Sequence, residues 1–326
     1  MTVRINRPCT SYTRSDARES RGRTSAISVL PRKGLGRAGR SEGAWIGACG
    51  TWTEEFTTKD LPLIEKAKAL GFAAIDINIS HPERFPTTAV RDTVKEVGME
   101  VVTSIGMPAN ANLISTDAAV RRHAVGTLEL LVDINNEIGS HILGGVIYAS
   151  WGYLTGKPRT EQEWRWSVEG MRDAAQYAAG KSDIILAVEP VGRFESHFLN
   201  VAEDAVRYCR AVGTSNIKVH LDSFHMIREE LSFREAVRTC GKEYLGYVHV
   251  CENNRGIPGT GQVPWREFFT ALKETGYTGP LVIESFDPGF EELNRLCAIW
   301  RKFADTGEEL AVNGLANLKR IEASLR

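Results

Sequence analysis

At 326 residues, 42% hydrophobic and 25% charged, the chain is long enough to bury one large core or two ordinary ones and reads as a soluble globular protein. Forty basic residues against 41 acidic ones leave a net charge of −1, which supplies no overall field for nucleic acid or for an anionic membrane. The six cysteines are scattered without CxxC or zinc-type spacing, and no apolar run approaches the roughly 18 residues of a membrane span, so the expected setting is the reducing cytoplasm.

Residues 1–43 hold ten Lys/Arg against Asp16, Glu19 and Glu42, with many Ser, Thr and Gly and little hydrophobic periodicity. Such a composition predicts a basic, disordered N-terminal extension in front of a catalytic domain over 44–326. From residue 44 onward short apolar runs alternate with amphipathic segments. Strands are expected at 44–49, 72–78, 99–105, 141–148, 184–190, 217–222, 245–250 and 281–286, most of them apolar throughout, as parallel strands covered on both faces are. Leu63, Ala67 and Leu70 share one helical face that Gly71 ends; Thr160 with Glu163 and Ser232 with Glu235 match the capping-box spacing. Pro264 opens a helix through Phe268 and Leu272 to Gly276, and residues 308–325 read as an extra terminal helix.

Eight strand–helix units in about 260 residues predict a (β/α)8 TIM barrel. An open doubly wound sheet is the alternative, but no GxGxxG follows the first strand. Active sites of parallel barrels lie at the C-terminal ends of the strands. There the sequence sets Glu189 at the fifth strand, Asp222 at the sixth, His249 at the seventh and Glu284 at the eighth. Singly, each is a weak signal: a lone Glu at a strand end is more often a capping or salt-bridged group than a ligand, and a lone His249 reads equally well as a satisfied core imidazole. Together, three carboxylates and an imidazole on four successive strands form a hard donor set suited to Mn²⁺, Mg²⁺ or Co²⁺, with coordination positions left for two substrate oxygens.

Other residues can line the same mouth. Arg193 and Glu195 are either a structural ion pair or substrate contacts, and Arg255 stands in the Gly/Pro-rich loop "ENNRGIPGTGQVPW". Trp151, taken to end the fourth strand, and Trp52 are rim aromatics or platforms for a sugar face. His220 shares a strand face with Asp222 and belongs to the barrel interior or behind a ligand; His197 stays open, and His81, His123 and His141 read as structural.

The segments "AVEPVGRFESHFLN", "VHLDSFHMIREELSFREA", "YVHVCENNRGIPGTGQVPW" and "LVIESF", in that order, resemble the ketose 3-epimerases of the D-tagatose and D-allulose (psicose) 3-epimerase group, xylose-isomerase-like TIM barrels. The resemblance covers about residues 44 to 305 and is strongest from 184 on. It implies that Glu189, Asp222, His249 and Glu284 hold a divalent metal, usually manganese. Glu189 and Glu284 would be the acid/base pair of an epimerisation at C3 through an enediolate. Glu195, His225 and Arg255 match positions that bind substrate oxygens, Trp151 matches an aromatic near the substrate, and a homodimer or homotetramer is implied. The expected partner is a small sugar rather than nucleic acid or membrane. An aldose-ketose isomerase, an inosose-type dehydratase and the catalytic subunit of a C-glycoside-cleaving enzyme use similar chemistry and stay open as alternatives. A metal-dependent endonuclease, which needs a richer metal cluster, and a sugar-binding protein without catalysis are further alternatives that the near-neutral charge and the two retained glutamates disfavour.

Overall fold

Eight short apolar runs become eight parallel strands, each followed by helix, that close into one barrel in the order β1 to β8. The computed structural model describes residues 45–49, 53, 55–181, 183–286 and 289–325; for 45–49 and 292–294 the description is of the backbone alone. The expected disordered extension over 1–43, and Trp52, lie outside the described residues. In chain order the elements are β1 (Trp45–Cys49), α1 (Pro62–Ala69), β2 (Ala74–Asn78), α2 (Thr87–Val97), β3 (Glu100–Gly106), α3 (Ala118–Ile138), β4 (Ile142–Val146) and α4 (Glu161–Ala179). The second half holds β5 (Ile185–Val188), α5 (Ala202–Val212), β6 (Ile217–Asp222), α6 (Ser223–Glu229), α7 (Phe233–Tyr244), β7 (Leu245–His249), α8 (Trp265–Thr275), β8 (Pro280–Glu284), α9 (Glu291–Leu296) and α10 (Gly307–Ala323). The ring closes where β1 pairs with β8, Trp45 opposite Pro280 through Cys49 opposite Glu284.

The strands are apolar on both faces because they serve two cores. Their outward side chains meet the inner stripes of the helices, where Ile64, Val90, Leu128, Leu131, Met171 and Phe268 are buried. Inside the ring, Val102, Ala187, Tyr247 and Val282 form a smaller plug. A fully buried Val, Leu, Ile, Phe or Met side chain contributes about 1.5–3 kcal/mol, and the filled lumen is packed protein rather than a pore.

Local signals mostly act as expected, with two corrections. Thr160 and Glu163 cap α4 reciprocally: Thr160 Oγ1 accepts from the Glu163 amide, and Glu163 accepts from the Thr160 amide. Ser232 caps α7 by accepting from the Glu235 amide, but Glu235 does not answer; Ser232 instead donates to Glu267 on α8 at 3.1 Å. In α1 the fully buried residues are Ile64 and Ala67 rather than Leu63. Gly71 (φ +86°) and Gly276 (φ +72°) sit in the left-handed region where only glycine is unstrained, which is why helices stop there.

The terminal helix α10 starts on Thr306, whose side chain accepts from the Glu309 amide. Its buried Leu310, Ala311, Leu315 and Leu318 turn inward. Asn317 Nδ2 donates to the Pro258 carbonyl at 3.0 Å, so this helix buttresses the loop between β7 and α8. Among the described residues no helix is long and apolar enough to cross a membrane.

Candidate active site

β6 explains how a buried strand can end on a carboxylate. Asp222 is 1% exposed and is the N-cap of α6, its Oδ1 accepting from the Phe224 amide at 2.8 Å. One oxygen therefore satisfies a helix terminus, and Oδ2 is left facing the barrel mouth. In the β6–β7 register Asp222 lies opposite His249, and one tier lower His220 lies opposite Tyr247. Glu189 follows the last residue of β5, and Glu284 ends β8. The four side chains singled out in the sequence thus come together at one end of the lumen.

Their surroundings are electrostatically crowded. Arg255 Nη1 lies 2.8 Å from Asp222 Oδ2 and 2.5 Å from Glu284 Oε2. His249 Nδ1 is 3.3 Å from Glu284 Oε2. Burial would raise the Glu284 carboxyl, but Arg255 and then His249 outweigh it and hold it well below the usual range. Burial first, and then the negative charge of Asp222, push the Glu189 carboxyl well above it. Burial would lower the His249 imidazole, yet Glu284 and Asp76 raise it well above its ordinary value.

Asp222 and Glu284 share one guanidinium here, and Glu189 Oε1 is buried with no hydrogen-bond partner among the described residues. Ligand atoms of Asp222, His249, Cys251 and Glu284 lie within 4.8 Å of one another, as do those of Glu189, Asp222 and His225, and of Glu189, His220 and His249. An excess of buried carboxylate and an orphaned oxygen fit a divalent cation of oxygen preference, whose binding would displace the His249 proton. Cys251, which the sequence reading passed over, is kept a thiol by burial and by the negative charge of Asp222.

His225 is oriented from behind. The Gly192 amide donates to its Nδ1 at 3.0 Å, so Nε2 carries the hydrogen. Nε2 looks toward Glu189 Oε1 at 3.7 Å and Asp222 Oδ2 at 3.8 Å. Burial, with Arg255 next, depresses this imidazole well below its ordinary value and keeps it neutral. Trp151 lies in the loop after β4, five residues past Val146 rather than at the strand end, and its Nε1 donates to Glu195 Oε2 at 2.9 Å. Glu195 is not paired with Arg193: that arginine turns outward to Glu229, 2.7 Å away. Gly192, Arg193 and Glu195 thus divide one loop between an imidazole support, a surface ion pair and a cavity wall.

Arg255 adopts φ +61°, a left-handed conformation that costs a non-glycine residue of order 1–3 kcal/mol. Glu252, fully buried, holds the loop in it. Its Oε1 accepts from the Asn253 and Val263 amides at 3.0 and 3.1 Å, and its Oε2 from the Gly259 amide and Trp265 Nε1 at 2.9 and 3.1 Å. The Arg255 guanidinium then stacks 3.9 Å over the Phe224 ring. Glu252 was not singled out in the sequence; an acid opening a loop of glycine and proline was the available signal.

Glu189, Glu195, Trp151, His225, His249, Arg255 and Glu284 open onto one cavity of about 470 Å³, which Thr53, Asn78, Ser80 and His81 also line. His81, read as structural, is exposed there. His197 ties two loops together, with Nδ1 3.1 Å from the Tyr153 carbonyl oxygen and Nε2 3.4 Å from Glu163 Oε1. His220 is fully buried in the barrel interior, its ring centroid 4.1 Å from that of His249.

A closed parallel barrel with its ionisable side chains gathered at the C-terminal mouth is the architecture of a barrel enzyme. The chain matches the xylose isomerase-like TIM barrel family over residues 64–321. It is 34% identical over 254 residues to a D-psicose 3-epimerase of Agrobacterium fabrum, covering 77% of this chain and 87% of that one. It is 32% identical over 276 residues to an L-ribulose 3-epimerase of a Methylomonas species, covering 83% and 93%. The crystal structure of a D-allulose 3-epimerase from Methylomonas sp. matches with a TM-score of 0.81 at 30% identity, covering 85% of this chain and 98% of that one. The chain belongs to the ketose 3-epimerases of the xylose isomerase-like TIM barrel family.

Proposed function

We propose that this protein interconverts ketoses at C3 by removing and returning a proton with Glu189 and Glu284, and that it needs a divalent cation, Mn²⁺ before Mg²⁺ or Co²⁺, held by Glu189, Asp222, His249 and Glu284. The observation that carries the reading is that two carboxyls, from β5 and β8, open onto one cavity while Asp222 and His249 rise from the strands between them. β5 and β8 are three strands apart in a ring of eight, so the carboxyls reach the cavity from well-separated sides. An epimerisation needs that separation, because the proton leaves one face of a planar enediolate and another arrives on the opposite face.

The cation's part would be to polarise the ketone oxygen and acidify the neighbouring C–H. The chain's own groups do the rest. Neutral His225 presents Nε2–H as a donor to a substrate oxygen, with its direction fixed by the Gly192 amide. Arg255 supplies fixed positive charge beside the acid/base carboxyls. Trp151 offers an aromatic wall for the sugar face, and Glu195, tethered to it, accepts from a hydroxyl. The relatives named as D-psicose and L-ribulose 3-epimerases support a free ketose as substrate.

Incubation with fructose, tagatose and ribulose in D₂O, with deuterium located by NMR, tests the reading. Label at C3 with inversion is expected. An aldose product labelled at C1 or C2 would make the protein an aldose-ketose isomerase, and turnover without label would remove proton exchange altogether.

A further inference from the structure

Asp76 stands in the middle of β2, 4% exposed, on the strand register that turns toward the lumen below the ligand tier. A buried carboxylate in an apolar strand is costly unless its oxygens are satisfied, and both are. Oδ1 accepts from Ser104 Oγ on β3 at 2.9 Å. Oδ2 accepts from the Tyr247 hydroxyl on β7 and lies 3.3 Å from His249 Nε2. The same nitrogen lies 3.1 Å from the Tyr247 oxygen.

The donor inventory of this cluster leaves one arrangement. Tyr247 has a single hydroxyl hydrogen, and its contact with the acceptor-only Asp76 carboxylate uses it. Its oxygen then faces His249 as an acceptor, and the Asp76 carboxylate is an acceptor as well. Nε2 must therefore carry a hydrogen, and the hydrogen on Nδ1, which faces the Glu284 carboxylate 3.3 Å away, is the one a cation would displace. The ring plane is clamped too. His220 packs at a centroid distance of 4.1 Å and an angle of 81°, and Tyr247 at 4.9 Å and 75°. Gly144 on β4 permits this packing, because a Cβ there would come within 2.7 Å of Tyr247 Cδ1 and 3.2 Å of His220 Nδ1.

We infer that Asp76 is a positioning residue: with Tyr247 it fixes the Nε2–H tautomer and the ring orientation of His249, so that Nδ1 is the atom that binds a divalent cation. This rests on the reading of His249 as a ligand in the proposed function. Carboxylate partners of ligating histidines orient the ring and raise its basicity, and their loss typically costs about 10–100-fold in metal affinity. Serving only the fold, Asp76 would instead change stability without changing affinity or tautomer.

The test measures Mn²⁺ affinity by competition with a fluorescent chelator in wild type, Asp76→Asn, His249→Ala and the double variant, with thermal melts of the metal-free proteins alongside. Asp76→Asn is expected to weaken Mn²⁺ binding about 10–100-fold and to add no further loss once His249 is gone, which is the coupling a double-mutant cycle isolates. Unchanged affinity in folded Asp76→Asn, or an equal loss with and without His249, overturns the inference and leaves the metal reading standing. Wild-type protein that binds no Mn²⁺ overturns both. Independently of any variant folding, nitrogen-proton correlation NMR of the histidine rings in Zn²⁺-loaded wild type is expected to show His249 with its hydrogen on Nε2; a hydrogen on Nδ1 overturns the inference.

Discussion

The two halves of the barrel repeat one strand–helix unit and yet bring different chemistry to the lumen. β5 to β8 deliver Glu189, Asp222, His249 and Glu284 to the mouth, with Arg255 from the following loop among them. β2 to β4 deliver Asn78, Ser104 and Gly144, with Asp76 as a buried acid beneath them. The difference is one of division of labour. A charged tier needs room and support opposite it, and the first half supplies both: Gly144 yields its side-chain volume to Tyr247 and His220, and Asp76 reaches across to His249. The buried polar groups of β3 that point outward serve the fold instead, as Thr103 does by donating to Asn135 on α3 at 2.8 Å.

The comparison is sharpened by removing the divalent cation proposed for the second half. Treatment with EDTA is expected to abolish epimerisation and added Mn²⁺ to restore it; full turnover by rigorously metal-free protein would sink the role given to the four ligands. Next in size, Glu189→Gln and Glu284→Gln should each lower turnover by about 10²- to 10⁴-fold in steady-state assays, since that is the range proton transfer contributes. A near-normal rate in either variant removes that residue from the mechanism.

Smaller effects separate support from chemistry. Glu252→Gln places an amide among four N–H donors, and should cost about 1–3 kcal/mol in denaturant unfolding while raising KM through a loosened Arg255. A stability loss with unchanged kinetics would make Glu252 a matter of folding alone. Thr103→Val, in the first half, leaves the Asn135 oxygen without that donor and should cost about 1–3 kcal/mol with turnover of the folded protein unaltered; an altered turnover would break the contrast between the halves. The smallest change expected is from Thr160→Ala, about 1 kcal/mol from loss of the α4 cap, read as a lowered denaturation midpoint.

The strands were legible because parallel strands covered on both faces are apolar without interruption, and the barrel followed from their number. The four mouth residues were legible for the same reason: Glu189, Asp222, His249 and Glu284 each break or end an apolar run at the position where barrel chemistry resides. Asp76 breaks such a run too, but midway along "AIDIN", and a mid-strand acid has no assigned place until the register shows which way it points. Arg193 and Glu195 are a case that the sequence left open between an ion pair and substrate contacts. Two residues apart on an irregular loop, opposite charges suggest a pair, whereas the backbone turns one toward Glu229 and the other toward Trp151.

By itself the sequence determined the eight strands, their alternation with helices and hence the closed ring, because hydrophobic periodicity and helix punctuation are local properties of the chain. It also determined which donors sit at the strand ends. Only the tertiary structure decided which atoms of those donors face one another. The tautomers of His225 and His249 and the strained turn at Arg255 depend on partners between 3 and 173 residues away, such as Gly192, Asp76 and Glu252. Hydrogen-bond direction is a property of contacts, and no spacing along the chain encodes it.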